Sequence, residues 1–211
     1  MAKRKHPPRT SSSGRKLRQS PPNIAGLRII GGQHRGRRLL YSGDWRTRPM
    51  KDRLREAIFN LIGPAIQGKH VLDLFAGTGA LALEALSRGA ERATLIEQHH
   101  PTAHIIRQNV AVLGVESQTE IVAGNVFVWF RRRPLLGIVP WAVFCSPPYD
   151  FYVDRAGEIM ELICGLMGAA PGESIFVVEA DVRFDFRTLP DPEAWDLRPY
   201  RPAVVGIYRK E

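Results

Sequence analysis

The chain has 211 residues, 44% hydrophobic and 24% charged, which gives room for one sizeable core and excludes disorder throughout or two full domains. Its formal charge of +9 is unevenly spread: residues 1–55 carry 16 Lys/Arg against two acids, a local +14, while residues 56–211 carry 14 against 19, or −5. A basic block of this kind suits a polyanion, most often nucleic acid, although a solvated tail has the same composition. Cys145 and Cys164 lie in apolar surroundings without metal-ligand or disulfide spacing. The basic start lacks an apolar signal core, and the stretch from Leu135 to Cys145 holds Pro140 and falls short of the ~18 residues of a membrane span. A cytoplasmic protein without membrane partners is expected, and a monomer.

Residues 1–23 combine Pro, Ser and Gly with seven Lys/Arg. Such a segment buries too little apolar surface to offset its ordering entropy and reads as a disordered basic tail. Residues 24–46 contain LRIIGGQHRGRRLLY, which reads as two short strands of a basic hairpin. The main domain then covers 47–211. It opens with a helix over 47–62, capped by Thr47, with Pro49 in its first turn and Gly63-Pro64 ending it. Leu54, Ile58, Leu61 and Ile62 form its apolar stripe, leaving Arg48, Lys51 and Arg55 to face solvent or a ligand.

From residue 69, strands and helices alternate. HVLDLF is a buried strand, ALALEALSRG a helix, ATLIE a second strand, and 101–113 a helix ended by Gly114. TEIVAGN and WAVFCS are the third and fourth strands, a helix covers 152–167, and SIFVVEA is the fifth strand. WDLRPYR and AVVGIYR read as an antiparallel pair. The fold class is therefore α/β, a doubly wound, mostly parallel sheet with an antiparallel C-terminal strand and an N-terminal basic hairpin. Its ligand belongs at the carboxyl ends of the strands, where the strand order reverses.

The first strand runs through Asp73 and Leu74 into Phe75-Ala76-Gly77-Thr78-Gly79 and then a helix. Gly77 and Gly79 permit a tight turn and close approach of a ligand to the helix N-terminus. NAD(P), a nucleoside triphosphate and S-adenosylmethionine compete for this turn. Ala82 stands where the dinucleotide fingerprint has its third glycine, although alanine is sometimes allowed there. No Gly-Lys-Ser/Thr ending supports a triphosphate. Asp73 would repel a pyrophosphate, but it suits the ammonium end of an amino-acid-bearing cofactor. Glu97 ends the second strand, 24 residues on, where an acid accepts from ribose hydroxyls in doubly wound nucleoside sites. His100 and His104 have helical i, i+4 spacing, but without a third ligand they and His99 read as helix-start residues rather than a metal site.

LDLFAGTGALALEALSRGAERATLIE resembles the S-adenosylmethionine motif of the RsmD-type methyltransferases, which modify the exocyclic N2 of a guanine in bacterial 16S ribosomal RNA. LRIIGGQHRGRRL and TRPMKDRLREAIFN resemble two further segments of that family, in the same order. The resemblance runs from about Leu27 to Arg209 and leaves residues 1–23 outside. It implies a Rossmann-like methyltransferase sheet, S-adenosyl-L-methionine as cofactor, and 16S RNA or the 30S subunit as partner. Asp73, Phe75, Ala76, Gly77, Thr78, Gly79 and Glu97 would hold the cofactor. Asn125 would approach its adenine, or simply cap a turn. Arg28, Arg35, Arg37 and Arg38 in the hairpin, with Arg48 and Arg53 beside Asp52 and Glu56, would meet RNA.

The resemblance also places the catalytic loop at Ser146, Pro147, Pro148 and Tyr149, where amino-methyltransferases carry Asp or Asn, Pro-Pro, and Tyr or Phe. An exocyclic amine has a delocalised lone pair. A side-chain oxygen and the next backbone carbonyl accept from its two N–H groups and aim the lone pair, prolines stiffen the loop, and the aromatic ring stacks on the base. Ser146 departs from the pattern: it accepts a hydrogen bond but carries no charge, a loss on the order of 2–4 kcal/mol. Two other readings therefore accompany the methyltransferase. One is a non-catalytic RNA-binding or ribosome-assembly protein derived from the family. The other is an amino-methyltransferase with a different nucleic-acid acceptor.

Overall fold

The computed structural model describes residues 26–41, 43 and 49–211. The expected tail over 1–23, the Thr47 cap and Arg48 lie outside the described residues. In chain order the elements are α1 (Asp52–Ile62), β1 (His70–Asp73), α2 (Ala80–Ser87), β2 (Arg92–Glu97), α3 (His100–Leu113), β3 (Thr119–Ala123), α4 (Val126–Arg131), β4 (Trp141–Cys145), α5 (Phe151–Asp154), α6 (Ala156–Ala169), β5 (Ile175–Asp181), β6 (Asp196–Tyr200) and β7 (Ala203–Arg209). The seven strands form one sheet in the order β3-β2-β1-β4-β5-β7-β6. β1 to β5 are mutually parallel, and β7 runs antiparallel to β5 and to β6. The order reverses between β1 and β4, which opens the crevice expected of such sheets.

Successive strand residues feed opposite cores. Val71, Leu95, Phe144 and Val177 pack with α1, α2 and α3, while Leu72, Ile96, Cys145 and Val178 pack with α4 and α6. Burial on both faces explains why these strands read as continuous apolar runs instead of alternating ones. Four expectations of secondary structure are corrected. The first helix begins at Asp52 rather than 47, with Pro49 before it. The helix over 152–167 is two helices, broken at Arg155 where φ is −132°. The short helix α4 fills a stretch after the third strand that carried no helical expectation.

The fourth correction concerns the hairpin. Its arms make a single bridge, Arg28 to Arg38, instead of two strands. What holds it is α2. The buried Glu84 carboxylate accepts from the Ile30 and Gly31 amides at 2.7 Å each, while the Ser87 hydroxyl donates to the Gly31 carbonyl at 2.6 Å. Gly32 sits at φ +74°, and a Cβ there would lie 1.8 Å from the Ser87 carbonyl oxygen. Arg55, expected to face outward, is fully buried. Its guanidinium pairs with Asp52 at 3.0 Å and with Glu84 at 3.7 Å, and it donates to the Arg28 carbonyl. Burial lowers its pKa, and both acids oppose that shift. Helix, hairpin and α1 are thus joined through one buried carboxylate.

Candidate methyltransferase site

The carboxyl ends of β1, β2, β4 and β5 open on a cleft of about 1050 Å³. Phe75, Ala76, Gly77 and Thr78 line one side, with Glu97 and Asn125 next to them. Ser146, Pro147, Pro148, Tyr149 and Glu179 line the other. Lys51 and Arg53 border the cleft from the start of α1, and Tyr200 and Arg201 border it from the β6–β7 turn. Phe75 meets Phe127 and Phe151 edge-on, each at 6.1 Å between ring centres.

Glu97 is built into the turn itself. One carboxylate oxygen accepts from the Gly77 amide at 2.8 Å and the other from the His99 amide at 2.7 Å. Burial raises its pKa, and those two amide bonds oppose the rise. A carboxylate offers about four acceptor sites, so a pair of hydroxyls can still be bound. Asn125 caps α4: its side-chain oxygen accepts from the Phe127 and Val128 amides. This satisfies two of the orphan donors at the start of that helix, and the residue still borders the cleft.

Asp73 and Gly79, both expected at the cofactor, are not among the residues that line the cleft. Asp73 does not line the cleft; it lies behind the glycine turn, 1% exposed, with the Ala82 amide 3.4 Å away. Burial pushes its carboxyl up to about 7, since desolvation favours the neutral form. Gly79 has φ +75°, and a Cβ would meet Ile106 and Leu95 at 3.2 Å. Glycine is therefore required there by backbone and core packing.

The opposite side of the cleft carries a hydrogen-bonded group that no contiguous motif contains. Ser146 donates its hydroxyl to one oxygen of Glu179 at 2.8 Å, and Tyr149 donates to the other at 2.7 Å. Tyr152 donates to the Glu179 backbone carbonyl at 2.9 Å. The β4–β5 register pairs Cys145 with Val178, which sets Ser146 beside Glu179 one step further on. Cys145 itself is buried, its thiol pushed up to about 12 by desolvation, and takes no part in the cleft. Sequence reasoning passed over Glu179, although a lone acid near the carboxyl end of the apolar run SIFVVEA was a usable signal.

Among the hairpin residues, Arg35, Arg37 and Arg38 are exposed but lie outside the cleft lining. Arg37 reaches the Val112 carbonyl near the end of α3, and Arg28 pairs with Asp52 at 3.5 Å. The tip sits at Ser87, the far end of α2, about 12 Å from the glycine turn at 1.5 Å per residue. His99 faces Thr102, and His104 lies 3.4 Å from Gln108. Among the described residues no group of three metal-ligating side chains gathers, and no helix is long and apolar enough to cross a membrane.

A mostly parallel sheet of this order with β7 antiparallel beside β5, an acid ending β1 before a glycine turn and an acid ending β2, is that of a Rossmann-like S-adenosylmethionine-dependent methyltransferase. Residues 27–199 match the protein family described as Conserved hypothetical protein 95. The chain is 36% identical over 193 residues to ribosomal RNA small subunit methyltransferase D of Escherichia coli (strain K12), covering 89% of this chain and 92% of that protein. It is 33% identical to the protein of the same name from Haemophilus influenzae, covering 89% and 95%. A solved putative methyltransferase from Escherichia coli superposes with a TM-score of 0.70 at 34% identity, over 88% of this chain and 98% of that one. The chain belongs to the family of ribosomal RNA small subunit methyltransferase D.

Proposed function

We propose that this protein transfers a methyl group from S-adenosylmethionine to the exocyclic N2 of a guanine in small-subunit ribosomal RNA, acting on the 30S subunit or its precursor as a cytoplasmic monomer. The observation that carries the reading is the sharing of one cleft by Glu97 and the glycine turn on one side and Ser146 to Tyr149 on the other. The donor set fits the cofactor: Glu97 for the ribose hydroxyls, Ile96, Val126 and Phe127 as an apolar slot for the adenine, and the backbone of 75–78 for the amino-acid end. When bound, S-adenosylmethionine supplies an electrophilic methyl group on a sulfonium.

The chain's own residues hold and aim the acceptor. The flipped guanine stacks on Tyr149, whose ring is fixed through its hydroxyl bond to Glu179. The two N–H groups of its amine donate to the Ser146 oxygen and to the carbonyl that follows, which turns the nitrogen lone pair toward the methyl group. Positioning of this kind supplies much of the rate of an in-line transfer. Lys51, Arg53 and Arg201 at the cleft mouth give phosphate contacts beside the extruded base, and the exposed Arg35, Arg37 and Arg38 give a second, more distant grip. Arg48 belongs with the first group by its place in the sequence. Arg28, exposed and 3.5 Å from Asp52, belongs with that second grip.

Labelled methyl transfer to 30S subunits lacking this modification, followed by nucleoside analysis, tests the proposal. N2-methylguanosine is the expected product. Label in N6-methyladenosine, or in DNA in preference to the subunit, would assign a different acceptor. Tight subunit binding with no transfer would assign a non-catalytic assembly role.

A further inference from the structure

Ser146 stands where the related amino-methyltransferases carry an acid or amide, yet it does not stand alone. Its hydroxyl has one proton and two acceptor sites. The proton is committed to Glu179 at 2.8 Å, so toward the cleft the oxygen presents lone pairs only. Glu179 is 9% exposed and accepts a second hydroxyl, from Tyr149, on its other oxygen. Its backbone is fixed from behind by Tyr152, itself 6% exposed. The carboxylate thus sits one hydrogen bond behind the oxygen that meets the acceptor amine, itself largely shielded from solvent, so that its charge acts at close range.

We infer that Glu179 is a positioning residue for methyl transfer, holding Ser146 as a hydrogen-bond acceptor and supplying from behind it the negative charge that position 146 lacks. The inference rests on the amine-methylation reading above. As the amine nitrogen takes the methyl group, the carbon–sulfur bond breaks and its electron pair stays on sulfur. The nitrogen acquires positive charge and then sheds one proton to water. Charge develops only as the new bond forms, so the carboxylate favours the transition state over the bound amine. Its removal should lower the rate of transfer and leave the affinity for RNA nearly unchanged.

Glu179→Gln is the informative variant, because the shape is retained. An amide accepts on one side and donates on the other, so either Ser146 or Tyr149 loses its acceptor and must turn. Single-turnover methyl transfer to unmethylated 30S subunits at saturating cofactor should fall on the order of 10- to 100-fold in Glu179→Gln and by a similar factor in Ser146→Ala. The double variant Glu179→Gln/Ser146→Ala should be no more than about threefold slower than the worse single change, since the two act as one unit. Ser146→Asp in the Glu179→Gln background should regain most of the loss. Calorimetric affinity for S-adenosylhomocysteine and filter-binding affinity for the subunit should stay within about threefold throughout. The inference is overturned by a Glu179→Gln rate within twofold of native, by multiplying losses in the double variant, by S-adenosylhomocysteine affinity falling in step with the rate, or by a native protein that transfers no methyl group. Nucleoside analysis separates the two claims: a product other than N2-methylguanosine removes the guanine reading, while the coupling of Ser146 to Glu179 is still read on whichever amine is methylated.

Discussion

The cleft has two ends that use carboxylates in opposite ways. At the cofactor end, Asp73 is buried with one long amide contact, and desolvation holds its proton up to about 7. At the acceptor end, Glu179 is nearly as buried but receives two side-chain hydroxyls at 2.7 and 2.8 Å. One acid waits behind a turn at a cost to the fold, and the other is satisfied by the residues it positions. The difference separates a carboxyl kept protonated by desolvation from one whose two oxygens are already satisfied by hydroxyl donors.

The largest expected effect falls on the cofactor end. Gly79→Val places a β-branched residue at φ +75° with core atoms 3.2 Å from its Cβ, a cost of about 3 kcal/mol or more in unfolding free energy, read from urea denaturation. Combined with Glu97→Ala, it should abolish measurable S-adenosylhomocysteine binding. Retained binding in that double variant would remove the cofactor assignment.

Asp73→Asn should have a smaller effect with a definite sign. An ordinary aspartate releases its proton near pH 3.9, whereas Asp73 keeps it to about 7 in the folded chain. Between those values the native state binds more protons than the unfolded one, so stability falls as pH rises through the window. The Asn variant should therefore be more stable than the native protein at pH 8, by about 2–4 kcal/mol, with the gain vanishing toward pH 4. Thermal midpoints of the ligand-free proteins at the two pH values would show it, and a gain independent of pH would contradict the burial account. The same variant should bind cofactor more weakly if the charge serves the ligand.

Deleting residues 1–23 removes seven Lys/Arg and should have the mildest consequence. The slope of log affinity for the subunit against log salt should flatten, with transfer at low salt little changed. An unchanged slope would make those residues passive.

The cofactor end was legible because its parts are contiguous. The strand, Asp73, the glycine turn and Glu97 all fall within 28 residues, and each has a local physical reason. The mostly parallel sheet followed from the βα alternation, and the loop over 146–149 stood out by its Pro-Pro pair. The acceptor end was only half legible. Ser146 looked like a deficit, because Glu179 lies 33 residues away and is joined to it by β4–β5 register alone. The buried centre at Glu84 and Arg55 was missed for a related reason. On one helix each looks like a solvated charge, and only the packing of the hairpin and α1 against α2 brings them together. Helix α4 was hidden because its cap, Asn125, reads equally well as a turn residue.

On this proposal the acceptor end is competent as built, with Glu179 standing behind Ser146. Its most direct test is the rate of labelled methyl transfer to unmethylated 30S subunits, measured side by side for the native protein and for Ser146→Asp. N2-methylguanosine is expected from both, with rates within about tenfold of each other, since the charge is already present one hydrogen bond away. A silent native protein beside an active Ser146→Asp would contradict it: the scaffold would then bind both substrates, and the chemistry would have been lost at that one residue.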